Sequence, residues 1–68
     1  MGCCNEKWYA WKIKARKGHI VLEDSRGRFD LYSNLTDYDG YYVFYVISRD
    51  IDPHFYGEIV KKEFLGEV

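Results

Sequence analysis

Residues 41–47 are all aromatic or β-branched, and no polar residue interrupts them. Such side chains crowd the preceding turn of a helix but pack well on a pleated sheet. Seven residues match the length of a β-strand and fall far short of a membrane span. Because apolar and polar residues do not alternate, the run predicts the central strand of a sheet with both faces covered. We expect one face of this strand to lie in the core and the other to be covered or used for binding: Val43, Tyr45 and Ile47 on the core face, and Tyr42, Phe44 and Val46 on the other.

The length of 68 residues predicts one domain with a small core, because a chain this short buries only about 60% of its unfolded surface. We expect a flexible lead-in at residues 1–6 and a single β-rich domain at residues 7–68. Cys3 and Cys4 are adjacent and cannot close a stabilising loop. Aromatic side chains, 19% of the sequence, must therefore supply much of the core.

Charge is divided along the chain although the net charge is only −1. Residues 1–28 hold seven Lys and Arg against three acids, and residues 29–68 hold three against eight. A near-neutral chain is not a strongly basic nucleic-acid binder. The two halves of the chain are instead expected to complement each other within the fold.

Three further strands are predicted before the central one, at residues 8–16, 19–23 and 28–33. The turn signals Lys17-Gly18 and Asp24-Ser25-Arg26-Gly27 separate them. Short connections between successive strands predict an antiparallel meander. The alternation of apolar and polar residues assigns these side chains to the core: Trp11, Ile13 and Ala15 on the first strand, Ile20 and Leu22 on the second, and Phe29 and Leu31 on the third.

The C-terminal third carries two conflicting signals. Propensity favours a strand at residues 56–63, whereas apolar spacing and the Asp52-Pro53 start signal favour a helix from about residue 53. Gly57 would lie inside that helix, and we therefore favour the strand. The predicted fold is all-β, an antiparallel meander that closes into a five-stranded SH3-like or OB-like barrel. The alternative is an α+β fold, with a four-stranded antiparallel sheet and a C-terminal helix.

Candidate reactive groups do not assemble into a catalytic or metal site. Asp50, Asp52 and His54 alternate along the chain, but Pro53 disturbs the extended geometry that would bring them together. The segment at residues 37–40 resembles the start of a calcium loop, yet Val46 stands where the bidentate glutamate is required. The adjacent cysteines are too close for a zinc site. We therefore predict a non-enzymatic protein without cofactor or metal.

Surplus tyrosines beside acidic groups are the main functional signal, because tyrosine is enriched at protein interfaces. The sequence predicts a small module that binds another protein as a regulator, inhibitor or adaptor, a class that includes virus-encoded proteins. An open strand edge is a second route to such a partner. The predicted protein-binding residues combine tyrosines, one phenylalanine and the neighbouring acids: Tyr32, Tyr38, Tyr42, Phe44, Asp37 and Asp39.

The alternative function is binding of single-stranded nucleic acid along the basic face of the first strand. Cations that follow a phosphate backbone and aromatic rings that stack on bases are the two requirements of this activity. The candidate residues are Trp8, Tyr9, Lys12, Lys14, Arg16, Lys17, Arg26 and Arg28.

Three further expectations concern the setting of the protein. Unpaired cysteines and the absence of a secretion signal predict a reducing, cytoplasmic location. No apolar run is long enough to span a membrane. A homodimer that covers Phe44 and its neighbours would add stability to a small chain.

Overall fold

The computed structural model of the chain describes residues 7–68, which form six β-strands. The predicted lead-in at residues 1–6, with Cys3 and Cys4, lies outside the described residues. The strands are β1 (Tyr9–Ala15), β2 (His19–Asp24), β3 (Gly27–Tyr32), β4 (Tyr42–Ser48), β5 (His54–Tyr56) and β6 (Ile59–Glu67). None of the described residues belongs to a helix able to cross a membrane.

The strands form two three-stranded antiparallel sheets. Sheet A has the order β4-β1-β6, and sheet B has the order β3-β2-β5. The all-β class is confirmed, but the five-stranded barrel is wrong because six strands form two separate sheets. The meander is also wrong: β2 pairs with β3, whereas neither β1 with β2 nor β3 with β4 forms a ladder.

The core lies between the sheets and follows the predicted alternation of β1 and β2. Trp11, Ile13 and Ala15 of β1 are buried, as are Ile20 and Leu22 of β2, and these predictions are confirmed. Three of these residues have no exposed surface: Ile13, Ala15 and Ile20.

On β3, Leu31 packs against this core, as predicted. Phe29 was predicted to be buried but is 39% exposed. Its ring is instead covered by the guanidinium of Arg26, which lies 5.0 Å from the ring centroid.

The predicted central position of β4 is wrong, and of the three residues predicted to face the core only Val43 is buried. β4 is the edge strand of sheet A, and β1 is its centre. Phe44 lies opposite Ile13 on β1, and opposite residues share a face, so Phe44 points into the core. Tyr45 and Ile47 consequently lie on the outer face and are 63% and 48% exposed. Both faces of the run are apolar, so the sequence of β4 does not by itself decide which side chains are buried.

The C-terminal helix predicted as the alternative is not formed. Strand structure is confirmed there, but it is divided into β5 and β6 by a turn at Gly57. Gly57 has φ of 132°, a conformation that glycine adopts readily and that no helix contains. The backbone N–H of Arg16 donates to the carbonyl of Glu58, which fixes this turn beside the end of β1.

Candidate functional site

A cleft lies between β3 and β4, the facing edge strands of the two sheets. It has a volume of about 380 Å³ and is lined by residues 30–33 and 43–46. β3 and β4 do not pair with each other along this length. The cleft is therefore bordered on both sides by strand edges.

A hydrogen-bonded link closes one end of the cleft. The hydroxyl of Ser33 donates to the carbonyl of Val43 at 2.7 Å and accepts from the N–H of Leu35 at 3.1 Å. The N–H of Val43 donates to the carbonyl of Leu35 at 2.8 Å. Both backbone groups of Val43 are therefore satisfied on the side away from β1.

The orientation of Val43 fixes the orientation of the residues that follow it. Backbone groups of alternate residues in a strand point to the same edge. The N–H and C=O groups of Tyr45 and Ile47 therefore also point away from β1, toward the cleft. Among residues 7–68, no strand pairs with this part of the β4 edge. Within residues 7–68, the β4 edge thus offers two consecutive sets of backbone donors and acceptors that no other strand occupies.

The β3 edge faces the cleft in the same way. The N–H of Ser33 donates to the carbonyl of Gly18 at 2.9 Å, which directs Ser33 toward β2. By alternation, the backbone groups of Tyr32 and Asp30 point to the opposite edge. Asp30 also accepts a hydrogen bond from His19 Nε2 at 2.9 Å, and the His19 ring stacks on Tyr32. The contacts of His19 with Asp30 and Tyr32 therefore hold these two side chains in place on the β3 side of the cleft.

The cleft has an apolar floor and an aromatic rim. Phe44 is buried in the floor, and Leu31 and Val46 are partly buried and pack against the core. Tyr32, 75% exposed, and Tyr45, 63% exposed, lie on opposite rims. The cleft therefore combines a largely buried apolar floor with polar and aromatic groups at its rims.

A second polar link holds the far end of the cleft. The hydroxyl of Ser48, fully buried at the end of β4, donates to Oδ2 of Asp24 at 2.8 Å. Ser25 donates from its backbone N–H and its hydroxyl to the carboxylate of Asp50, each at 2.8 Å. The β2–β3 turn is thereby tied to the segment after β4. Links at both ends fix the separation of the edges, so the cleft is preformed.

The two edges of sheet A differ in their protection against pairing. β6 carries Lys61 and Lys62, and its register with β1 shifts twice, features that protect a strand edge. β4 has no charged residue and pairs with β1 in one uninterrupted register. An exposed, regular and uncharged edge is the kind that accepts another strand.

The loop between β3 and β4 carries the predicted acidic residues Asp37 and Asp39, neither of which lines the cleft. Asp37 Oδ2 lies 2.8 Å from Nζ of Lys14, and Oδ1 accepts from the N–H groups of Asp39 and Tyr41. The hydrogen bond with Lys14 lowers the pKa of Asp37 and raises the pKa of Lys14. This ion pair joins the basic and acidic halves of the chain and secures the loop on the outer face of sheet A.

The predicted protein-binding residues have divergent positions. Tyr38 is fully exposed at the loop tip, and Asp39 is exposed beside it. Tyr42 packs against the core, and Asp37 is committed to Lys14. Only two of the six predicted residues, Tyr32 and Phe44, line the cleft, and Phe44 does so as part of its buried floor.

The predicted nucleic-acid residues on β1 and the following turn do not form one continuous basic track. Lys12 Nζ lies 5.9 Å from the ring centroid of Tyr45, and Lys14 is paired with Asp37. Arg16 and Lys17 are exposed at the β1–β2 turn.

The remaining candidates of this group lie at the opposite end of β1 and on sheet B. Tyr9 contacts Phe64, with ring centroids 6.3 Å apart. Arg28 lies over Tyr56, 5.6 Å from its ring centroid. Trp8 lies close to Arg26, whose guanidinium is 5.1 Å from the ring centroid.

Sequence reasoning missed the two most exposed residues of the β4 edge. Tyr45 and Ile47 were assigned to the core. The charge-free composition of β4, compared with the lysines of β6, is the signal that could have identified its edge as open.

No protein-family model matches this chain, and neither a curated protein nor a solved structure resembles it significantly. Within residues 7–68, no group of three His, Cys, Asp or Glu side chains is placed to hold a metal ion.

Proposed function

We propose that this protein is a non-enzymatic binding module that captures an extended segment of a partner protein in the cleft between β3 and β4. The observation that carries the proposal is the free, charge-free edge of β4 at Tyr45 and Ile47, which borders an apolar floor. Addition of a strand to an exposed sheet edge is a recurrent mode of peptide recognition.

The proposed binding mechanism divides affinity and selectivity between backbone and side chains. The partner segment pairs with the free N–H and C=O groups of Tyr45 and Ile47, which requires an extended backbone without proline at the paired positions. Alternate side chains of the segment then point to the floor formed by Leu31, Phe44 and Val46. The preferred segment therefore has apolar residues at every second position.

The rims add contacts on the outer side of the bound segment. Tyr32 and Tyr45 offer large aromatic surfaces at low entropic cost, as is common at protein interfaces. Tyr38 and Asp39, exposed on the loop after β3, extend this surface. Regulators, inhibitors and adaptors use such a mechanism, and we propose a cytoplasmic one because adjacent cysteines favour a reducing compartment.

Selection of random peptides displayed on phage tests this proposal directly. We expect peptides with alternating apolar residues to be enriched on the immobilised protein. The double substitution Tyr32→Ser and Tyr45→Ser should weaken their binding at least about tenfold, a change of about 1.4 kcal/mol. Tyr56→Ser is the matched control, because Tyr56 is exposed on β5, away from the cleft.

Two results would oppose the proposal. Selected peptides that bind the double variant as tightly as the wild type would place their site elsewhere. Peptides that keep their affinity when proline replaces successive central residues would exclude backbone pairing, because proline has no N–H to donate.

The second candidate function, binding of single-stranded nucleic acid, is supported by the surroundings of Trp8. The guanidiniums of Arg26 and Arg49 lie 5.1 and 4.8 Å from its ring centroid. Arg26 is also held by Asp24, with Nη2 and Oδ2 2.8 Å apart, which reduces the charge available for phosphate. Fluorescent single-stranded oligonucleotides at about 50 mM salt, where screening is weak, should bind if this function is correct. The absence of binding there would eliminate it.

A further inference from the structure

We propose that a second copy of this chain pairs with the free edge of β4, and that the resulting homodimer is centred on Val46. The two β4 strands run antiparallel and join both copies of sheet A into one six-stranded sheet. The inference uses the same edge as the proposed function but requires no other protein, so each can fail without the other.

The length of the free edge limits where the second copy can pair. Leu35 and Ser33 already occupy the backbone groups of Val43. The free part of β4 therefore extends from Phe44 to Ser48. Val46 is the middle residue of these five, and a twofold axis there uses the entire free length without displacing the Ser33–Val43 link.

Hydrogen-bond geometry selects the same centre. A twofold axis perpendicular to an antiparallel sheet places residues opposite each other on the same face. With Val46 at the axis, Tyr45 of each copy lies opposite Ile47 of the other. Both residues direct their N–H and C=O groups to this edge, so two complete hydrogen-bonded pairs form. Every free backbone group of Tyr45 and Ile47 is then satisfied.

The side chains of β4 are compatible with this register. Tyr45 opposite Ile47 is an aromatic–β-branched pair, a favourable combination across antiparallel strands. Val46 meets Val46 of the second copy at the axis. The free segment contains no charged residue, so no like charges meet. On β6, by contrast, a twofold axis at Lys62 would place two lysines opposite each other.

Self-pairing and partner capture would exclude each other, because both use the backbone groups of Tyr45 and Ile47. A pairing of five residues buries a small area, which is typical of weak and reversible complexes. The dimer would thus cover the β4 edge at high concentration and release it on dilution or when a partner segment competes.

Sedimentation equilibrium from micromolar to millimolar protein tests the dimer in the absence of any partner. We expect the mass to rise from the 8.1 kDa of one chain toward twice that value. The variant Tyr45→Lys with Ile47→Lys places lysines opposite each other and should remain monomeric. The variant Tyr45→Lys with Ile47→Glu places opposite charges together and should dimerise. Both positions are about half exposed or more, so circular dichroism should show an unchanged fold.

Cysteine cross-linking tests the register. In a chain whose natural cysteines are replaced by serine, Val46→Cys should form an intermolecular disulfide, because opposite residues that are not hydrogen-bonded have Cα atoms about 4.5 Å apart. Tyr45→Cys alone should not cross-link, since its counterpart lies opposite position 47. A mixture of Tyr45→Cys and Ile47→Cys chains should cross-link.

A wild type that stays monomeric to millimolar concentration would overturn the dimer, whatever its peptide binding. Equal dimerisation of the two charged variants would show that another surface is used. A dimer in which Tyr45→Cys links to itself while Val46→Cys does not would overturn the centre at Val46.

Discussion

The hydroxyl of Ser48 on β4 donates a hydrogen bond of 2.8 Å to Oδ2 of Asp24 on β2, and the side chain of Asp24 is completely buried. This contact joins sheet A to sheet B at the far end of the cleft. Asp24 also accepts from the backbone N–H and the guanidinium of Arg26. Burial alone would raise the pKa of Asp24, but the hydrogen bonds from Arg26 and Ser48 prevail, and the pKa is lowered.

Asp24→Asn should reduce the stability of the protein at neutral pH by about 2 kcal/mol, the magnitude of a hydrogen bond to a charged group. The folded-state pKa is below the unfolded value of about 3.9, so the contribution is present above that value and lost as pH falls through the folded pKa. The difference between variant and wild type should therefore shrink below about pH 4. Urea denaturation at pH 7 and pH 2.5 measures it, and a constant difference would contradict the role assigned to the charge.

The Lys14–Asp37 pair should stabilise the loop between β3 and β4 only while both groups are charged. The lowered pKa of Asp37 makes its contribution disappear as pH falls below about 4, and the raised pKa of Lys14 makes its contribution disappear as pH rises above about 10.4. In a double-mutant cycle with Lys14→Met and Asp37→Asn, coupling should be present at pH 7 and smaller at pH 2.5. Equal coupling energies at both pH values would show that the interaction between Lys14 and Asp37 is not ionic.

Phe44 and Tyr45 are neighbours whose substitution should have opposite consequences. Phe44→Ala removes a ring that is only 4% exposed and should cost about 3–5 kcal/mol, enough to unfold much of so small a domain. Tyr45→Ala changes an exposed side chain and should alter stability by less than about 0.5 kcal/mol. Thermal denaturation compares them. A larger loss of stability for Tyr45→Ala than for Phe44→Ala would instead support the orientation of β4 that was expected from the sequence.

Ser33→Ala should open the closed end of the cleft, because it removes both the donor to Val43 and the acceptor for Leu35. The free energy of unfolding should fall by about 1 kcal/mol, because water can partly replace the two lost hydrogen bonds. Ser33→Thr retains the hydroxyl and is the control. Faster amide exchange at Leu35, whose N–H loses its acceptor, in the alanine variant alone would confirm the link, and equal exchange in both variants would show that the hydroxyl is dispensable.

Elements with regular alternation could be predicted from the sequence, and those decided by pairing could not. Trp11, Ile13 and Ala15 alternate with polar residues, so the inner face of β1 was predictable. On β4 both faces are apolar. The burial of Phe44 depends on its pairing with β1, which the local sequence pattern does not reveal.

The candidate site was only partly predictable for the same reason. An open edge follows from the order of strands in the sheet, and the sequence placed β4 in the centre, where it would have no edge. Tyr32 was recognised from the excess of tyrosines. Ser33, Tyr45 and Ile47 acquire their roles only through the cleft between β3 and β4.

Backbone amide exchange of Tyr45 and Ile47, measured by NMR with and without a selected peptide, is the most direct test of strand capture. The protein should be monomeric by sedimentation at the concentration used. Both amides should exchange rapidly in the free protein and slowly in the complex, whereas Phe44 and Val46, which pair with β1, should be protected in both states. A saturated complex in which Tyr45 and Ile47 still exchange as in the free protein would contradict strand addition at β4.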